Sequence, residues 1–282
     1  MNVTTLAAEA FGRKLADTYR HYYGDREPEF ATLLDAGARL LIERIGSSDA
    51  LYHDFEHTII VTQVGQEIIR GKLLFESLEP VDWVHFIFGL LCHDIGFVRG
   101  ACAADDATSV VIDEDGTRFQ LPRGASDAAL SPYHVTRGKI AVRERFRTHR
   151  MLDCDRIACA IELTRFPVPD DQDHKETDTE AGLVRAADLI GQLADPNYPC
   201  KLNALFHELK ETGSAEKIGY LNPADLVEKY PKFFWTAVEP FIGDGLRYLE
   251  MTMEGKRWVA NLYGNVFIAE HRRATFGPHL AR

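Results

Sequence analysis

The sequence predicts an all-α fold that carries one small inserted β-hairpin. Three observations lead there. Apolar residues recur at three- and four-residue steps through most of the chain, one segment is apolar nearly all round, and a single short stretch changes to β-prone runs about a turn.

Each element follows in order. In 33–45, LLDAGARLLIERI, the leucines and isoleucines share one helical face. Segment 57–70, HTIIVTQVGQEIIR, repeats the pattern through Ile60, Val64 and Ile68. Segment 80–93 opens on Pro80, suited to a first turn, and its all-round apolarity marks a buried central helix. Further helices are expected at 134–148, 154–164, 180–193, 200–211 and 224–253, the last broken near Pro231 and Pro240. The stretch 108–121, TSVVIDEDGTRFQL, reads as the hairpin, turning at Asp115-Gly116. Polar, acidic 167–180 reads as an exposed loop. No Pro/Gly/Ser-rich linker divides the chain and no internal repeat is visible, so one domain is expected.

Composition narrows the function classes. Hydrophobic residues make up 45% of the 282, enough for a substantial core. With 43 acidic against 32 basic residues the net charge is −11, which disfavours nucleic-acid polymers and anionic membranes as partners. A phosphate substrate would then need a local positive centre, and a divalent metal supplies one. Cys92, Cys102, Cys154, Cys159 and Cys200 form no CxxC pair, so reduced thiols in a cytosolic protein are expected. The first twenty residues lack an apolar core of signal-peptide length, and Trp83 to Cys92 is too short to span a bilayer; the expected location is cytoplasmic.

Three stretches carry chemistry: YHDFEH at 52–57, LLCHDIG at 90–96 and RAADLIGQLADP at 185–196. Taken singly, each histidine or aspartate is more simply a core or solvated residue. Together they pose one physical problem. His93 and Asp94 end the most apolar helix, and Asp188 sits inside an apolar helical pattern. Burying such groups without partners costs several kcal/mol, roughly 2–7 for a neutral one. Imidazole and carboxylate together suit zinc, iron, manganese or similar divalent ions. If His57, His93, Asp94 and Asp188 converge, one cation resolves the burial of all four.

The ordered pattern His, His-Asp, Asp resembles that of the HD superfamily of metal-dependent phosphohydrolases, in which His57, His93, Asp94 and Asp188 match the metal ligands. YHDFEH resembles the YHNxxH element of class I cyclic-nucleotide phosphodiesterases, where the second histidine binds metal and the first is an acid. The resemblance implies an HD-type, phosphodiesterase-like helical bundle over 1–282. Its N-terminal helices would occupy 1–50, its metal-binding core 51–196, and 197–282 would complete the pocket. It also implies one or two divalent ions (Zn, Mn, Mg or Fe), with Asp94 bridging if there are two. A metal-activated hydroxide would hydrolyse a phosphoester of a small phosphorylated molecule, such as a nucleotide. His53 would be the general acid; four residues before His57, it would share one side of a helical turn with it, roughly 5–6 Å away at Cβ. AIELTRF at 160–166 is similar to the family's helix whose carboxylate lies near that acid, which maps to Glu162. FFWTAVEPF at 233–241 resembles the segment whose phenylalanine stacks on the base, which maps to Phe233.

This chain also departs from that branch. Where the phosphodiesterases carry His-Pro-Gly after the doublet, it has Phe97-Val98-Arg99. Tyr230 stands where their purine-binding glutamine falls. His134 reads equally as support for a second metal or as a core histidine. Arg99, Lys139 and Arg165 are candidate phosphate clamps, although basic residues near helix ends usually face solvent. His85 reads as buried and bonded to backbone, His149 and His174 as solvated, and the hairpin either as a cover for the site or as surface decoration. Two alternatives stay open: an HD-type di-iron oxygenase, which needs about six protein ligands, and a non-catalytic nucleotide-sensing module.

Overall fold

A computed structural model of the chain describes residues 2–271. The expected all-α architecture with one inserted hairpin is what it shows. Helices α1 (Val3–Tyr23) and α2 (Pro28–Ile45) form an N-terminal pair, followed by α3 (Phe55–Lys72) and α4 (Pro80–Cys92). Strands β1 (Ser109–Val111) and β2 (Arg118–Gln120) come next, then α5 (His134–Phe146), α6 (Cys154–Leu163), α7 (Glu180–Leu193) and α8 (Tyr198–Glu211). Short α9 (Ser214–Lys217), then α10 (Pro223–Phe233), α11 (Glu239–Leu249) and α12 (Met253–His271) complete the described chain. One buried apolar cluster runs from α1 to α12. The outermost parts of the expected domain, residue 1 and residues 272–282, lie outside the described residues. Among the described residues, no helix is long and apolar enough to cross a membrane.

Pairing along the chain shows how the helices converge. His85 Nε2 accepts from the Asp153 backbone N–H (2.8 Å), and Arg156 joins Asp82 and Glu180. A Cβ on Gly89 would touch both Ala160 and Val184. Helices α4, α6 and α7 therefore run side by side and bring their C-terminal halves to one end of the bundle. Helix α5 runs the other way along α6: Arg143 meets Asp155 (2.8 Å) and Lys139 meets Glu162 (2.7 Å). Along α3, α7 is likewise reversed, with Lys72 meeting Asp178 at one end and Lys201 joining Glu56 to Asp195 at the other. Two glycines on these elements permit close backbone approaches. A Cβ at Gly191 would lie 2.9 Å from Val61 Cα, and one at Gly96 would lie 1.9 Å from the His134 carbonyl oxygen. Any side chain at either position would push the helices apart.

The hairpin has Val110 opposite Phe119, and Gly116 takes φ 80° in the acidic turn. It is anchored from beneath by Arg137, which is completely buried. That guanidinium donates to the carbonyls of Gly96 (2.8 Å), Val98 (3.0 Å) and Val111 (2.5 Å) and pairs with Asp105 (2.9 Å).

The helix expected at 224–253 differs in form. Pro231 sits inside α10, and residues Phe234–Val238 widen into a π turn in which the Glu239 N–H reaches the Phe234 carbonyl. Pro240 has no N–H to return to Thr236, and the wider turn absorbs that missing bond where a break was expected. The loop 167–180 also corrects its expectation in part: His174 is buried, because buried Arg185 donates to the carbonyls of His174 (2.6 Å) and Glu176 (2.9 Å) and folds the loop back.

Candidate metal centre

The centre is built where the first turn of α3 meets the end of α4. Asp54 caps α3, accepting the His57 backbone N–H at 3.0 Å, so the aspartate within YHDFEH sets where the His57 turn begins. His93 and Asp94 follow the last turn of α4, whose negative dipole end favours a cation. His57, His93 and Asp94 are buried, with ligand atoms all within 4.8 Å of one another, and these three can hold a metal ion.

The distances are those of ligands around a common point. His57 Nε2 and His93 Nε2 are 3.4 Å apart, and Asp94 Oδ2 lies 3.5 Å and 3.1 Å from them. Asp188 Oδ1, on α7, lies 3.4 Å and 3.6 Å from the same two nitrogens. With bonds of about 2.1 Å, neighbouring ligand atoms should be about 3.4 Å apart in a tetrahedral site and about 3.0 Å in an octahedral one.

Hydrogen bonding agrees with that fit. His93 Nδ1 donates to the Leu90 carbonyl at 2.7 Å, which in the neutral ring leaves the Nε2 lone pair facing Asp94 Oδ2. Asp94 Oδ2 is buried without a hydrogen-bond partner. A lone pair against a carboxylate is repulsive unless a positive charge lies between them. Without a metal, a proton supplies it: burial opposes charging His93, but Asp94 and Asp188 overcome it and raise the imidazole to about 9. Asp94 is correspondingly held far below the usual carboxylate range, burial being outweighed by His93, His53 and His57. Metal and protons thus compete for the same atoms.

His134 opens α5 beside this group. Its Nδ1 donates to the Ser131 carbonyl (2.6 Å), and its Nε2 faces Asp94 Oδ1 at 3.9 Å. Burial lowers its pKa and prevails over the pull of Asp94, so it stays a neutral ring, the form that binds metals. Phe97, at the first position of the departure from the phosphodiesterases, stacks on both His53 and His134 with ring centroids 4.5 Å away.

Two assignments around His53 are corrected. It precedes the cap of α3 and does not share a helical turn with His57, although the two rings lie 5.6 Å apart. Glu162 is not its partner; that carboxylate pairs with Lys139 (2.7 Å) and Arg165 (2.5 Å), which outweigh burial and hold it at about 2. The carboxylate on His53 is Glu208, from α8, which the sequence reading missed. Its Oε2 lies 2.6 Å from His53 Nδ1, and its Oε1 accepts the Tyr52 backbone N–H at 2.6 Å. Burial opposes charging His53, but Glu208 prevails and lifts it to about 9. Glu208's own pKa is lowered, burial being outweighed chiefly by His53. The available signal was an acid at a stripe position of an amphipathic helix, among Leu202, Leu205 and Phe206.

The substrate candidates have other partners. No hydrogen bond or ion pair joins Arg99, Tyr230 or Phe233 to the centre among the described residues. Arg99 is committed to Asp127 (2.5 Å) and the Ala125 carbonyl (2.6 Å), so it is not free to clamp a phosphate. Tyr230 is buried against Tyr198, its hydroxyl without a partner, and Phe233 packs its ring on Phe166 at 5.7 Å. Lys139 and Arg165 share Glu162, and His85 is buried, with Nδ1 on the Val81 carbonyl at 2.7 Å.

None of the curated proteins matches the chain. A family model described as Npun_R2479-like matches residues 1–272, nearly the whole length, and the chain belongs to the Npun_R2479-like family.

Proposed function

We propose that the chain is a metal-dependent phosphohydrolase of the HD type, acting on a phosphoester of a small molecule. The observation that carries this reading is the convergence of His57, His93, Asp94 and Asp188, with Nε2–carboxylate distances of 3.1–3.6 Å. The order of these ligands, with an adjacent His-Asp doublet, supports it. His134 would extend the set toward a second ion shared through Asp94.

A divalent cation bound there supplies positive charge against a phosphoryl group and lowers the pKa of a water from 15.7 toward about 7. The chain's own groups then divide the proton work. Asp188, the most exposed of the four with 20% of its side chain accessible, offers its second oxygen to the attacking water's proton. As the water oxygen bonds to phosphorus and the ester P–O bond breaks, the departing oxygen takes the proton from His53 Nε2. Glu208 keeps the other ring nitrogen engaged, so His53 starts charged and correctly turned. The site thus acts on net-negative substrates in spite of the chain's own negative charge.

The test is turnover of phosphodiester, phosphomonoester and cyclic-nucleotide panels after loading with manganese, zinc, magnesium or iron. Hydrolysis in wild type, lost together with metal in Asp94→Ala, is the expected result. Bound metal without hydrolysis of any panel member sinks the reading. Oxygen consumption by the iron form would favour the oxygenase alternative, for which the described residues would supply His57, His93, Asp94, Asp188 and His134. Tight nucleotide binding without turnover would favour a sensor.

A further inference from the structure

Beside the turn that carries His93 and Asp94 lies a cavity of about 260 Å³, lined by none of the four metal-ligand candidates. It opens between α2, α5 and the loop that follows the His-Asp doublet. Cys92 and Ile95 line it, while His93 and Asp94, between them, face the metal centre, so the two sites occupy opposite sides of one turn. Its floor is apolar: Leu41, Ile95, Val142 and Phe146. Its walls are kept thin by Gly100, Ala101, Ala103 and Ala141, and this run of small residues is what leaves the space open.

The rim has the opposite character. Arg44 and Arg145, both exposed, stand at the mouth, and neither meets a carboxylate among the described residues. Arg44 directs Nη2 to the Gly100 carbonyl (2.5 Å), which holds the guanidinium across the opening. Glu144 is also on the wall, its Oε2 accepting the Ala103 backbone N–H at 2.7 Å, and it makes no ion pair with either arginine among the described residues. Two unanswered guanidiniums above an apolar floor are unusual on a chain of net charge −11. Their complement is an anionic head on an apolar body.

We propose that this cavity binds a small amphipathic carboxylate, its chain on the Ile95–Phe146 floor and its head between Arg44 and Arg145. At roughly 30 Å³ per water-sized group, the space takes about nine such groups, the size of a medium-chain fatty acid. The site is independent of the phosphohydrolase reading, since it uses none of the proposed metal ligands.

Octanoate is the probe, titrated into the full chain carrying ¹³C-methyl alanine. Saturable binding with Kd on the order of 1 mM or tighter is expected. The methyl signals of Ala101, Ala103 and Ala141 should shift together. Octanol, equal in chain length but uncharged, should bind about tenfold more weakly, as should octanoate to Arg145→Ala. Ala103→Trp, at an exposed position, should close the cavity and abolish the shifts of Ala101 and Ala141. The proposal is overturned if octanoate does not saturate by about 10 mM. Shifts confined to other alanines, or equal affinity for octanol, overturn it too. Should the tryptophan variant fold poorly, the wild-type methyl map and the octanol comparison still decide.

Discussion

Glu208→Gln is the most informative single change, because it removes a charge and keeps the shape. The glutamine carbonyl can still accept the Tyr52 N–H, so the loop before α3 should hold its place. What is lost is the carboxylate that does most to lift His53 from 6.5 to about 9, a gap worth about 3 kcal/mol in all. Asp94 and Asp188 add smaller contributions that a bound cation would cancel, leaving Glu208 as the main support. Without it, burial acts unopposed and His53 should titrate below 6.5. At pH 7.5 His53 should then go from mostly protonated to under about 10% protonated, and turnover of an ester with a poor leaving group should fall several-fold. The assay is a pH–rate profile of the metal-loaded enzyme, run on that ester and on an activated aryl phosphodiester that needs no acid. The alkaline limb should move from above about pH 7.5 to below about 6.5 for the first substrate only. An unmoved limb in Glu208→Gln refutes both the pairing and the acid role. Stability is linked with the same sign. His53's folded pKa is raised, so its contribution is full below about pH 6.5 and is lost as pH rises through about 9.

Three further outcomes follow from the geometry. Chelation should lower the thermal midpoint, and metal at about a thousandfold over its Kd should restore about 4 kcal/mol, checked by calorimetry with and without EDTA. Gly96→Ala places a methyl 1.9 Å from the His134 carbonyl, so it should cost about 1–3 kcal/mol or more in urea unfolding and weaken metal uptake. Arg137→Met leaves Asp105 buried and unpaired, a loss of about 3–5 kcal/mol in the same assay.

What could be read from the sequence was what is encoded locally. The doublet His93-Asp94 stood out because it ends a helix apolar on every side, and the hairpin because Asp115-Gly116 interrupts two β-prone runs. The helix ranges expected between 57 and 211 came within about two residues for the same reason: period and capping are short-range. The errors about partners were mostly long-range. Glu162 fitted a short motif, yet Lys139 from a neighbouring helix and Arg165 from the next turn claim it. The true partner of His53 lies 155 residues further on. His174 looked solvated because nothing in its own segment announces that Arg185 will draw the backbone inward. Pro240 was read as a break because the pattern shows a missing N–H but not the wider turn that accommodates it.

Arg137 gives the inserted strands a mechanical meaning. One guanidinium grips the backbone ahead of the insertion and within its first strand, and it is carried by the same helix that presents His134. A flap would need slack at its base, and here the base is bolted to the floor. Force applied to the hairpin tip is therefore transmitted to the position of His134 relative to Asp94. Shortening the 112–117 turn, which holds none of the centre's ligands, should move the His134 ring resonance in NMR.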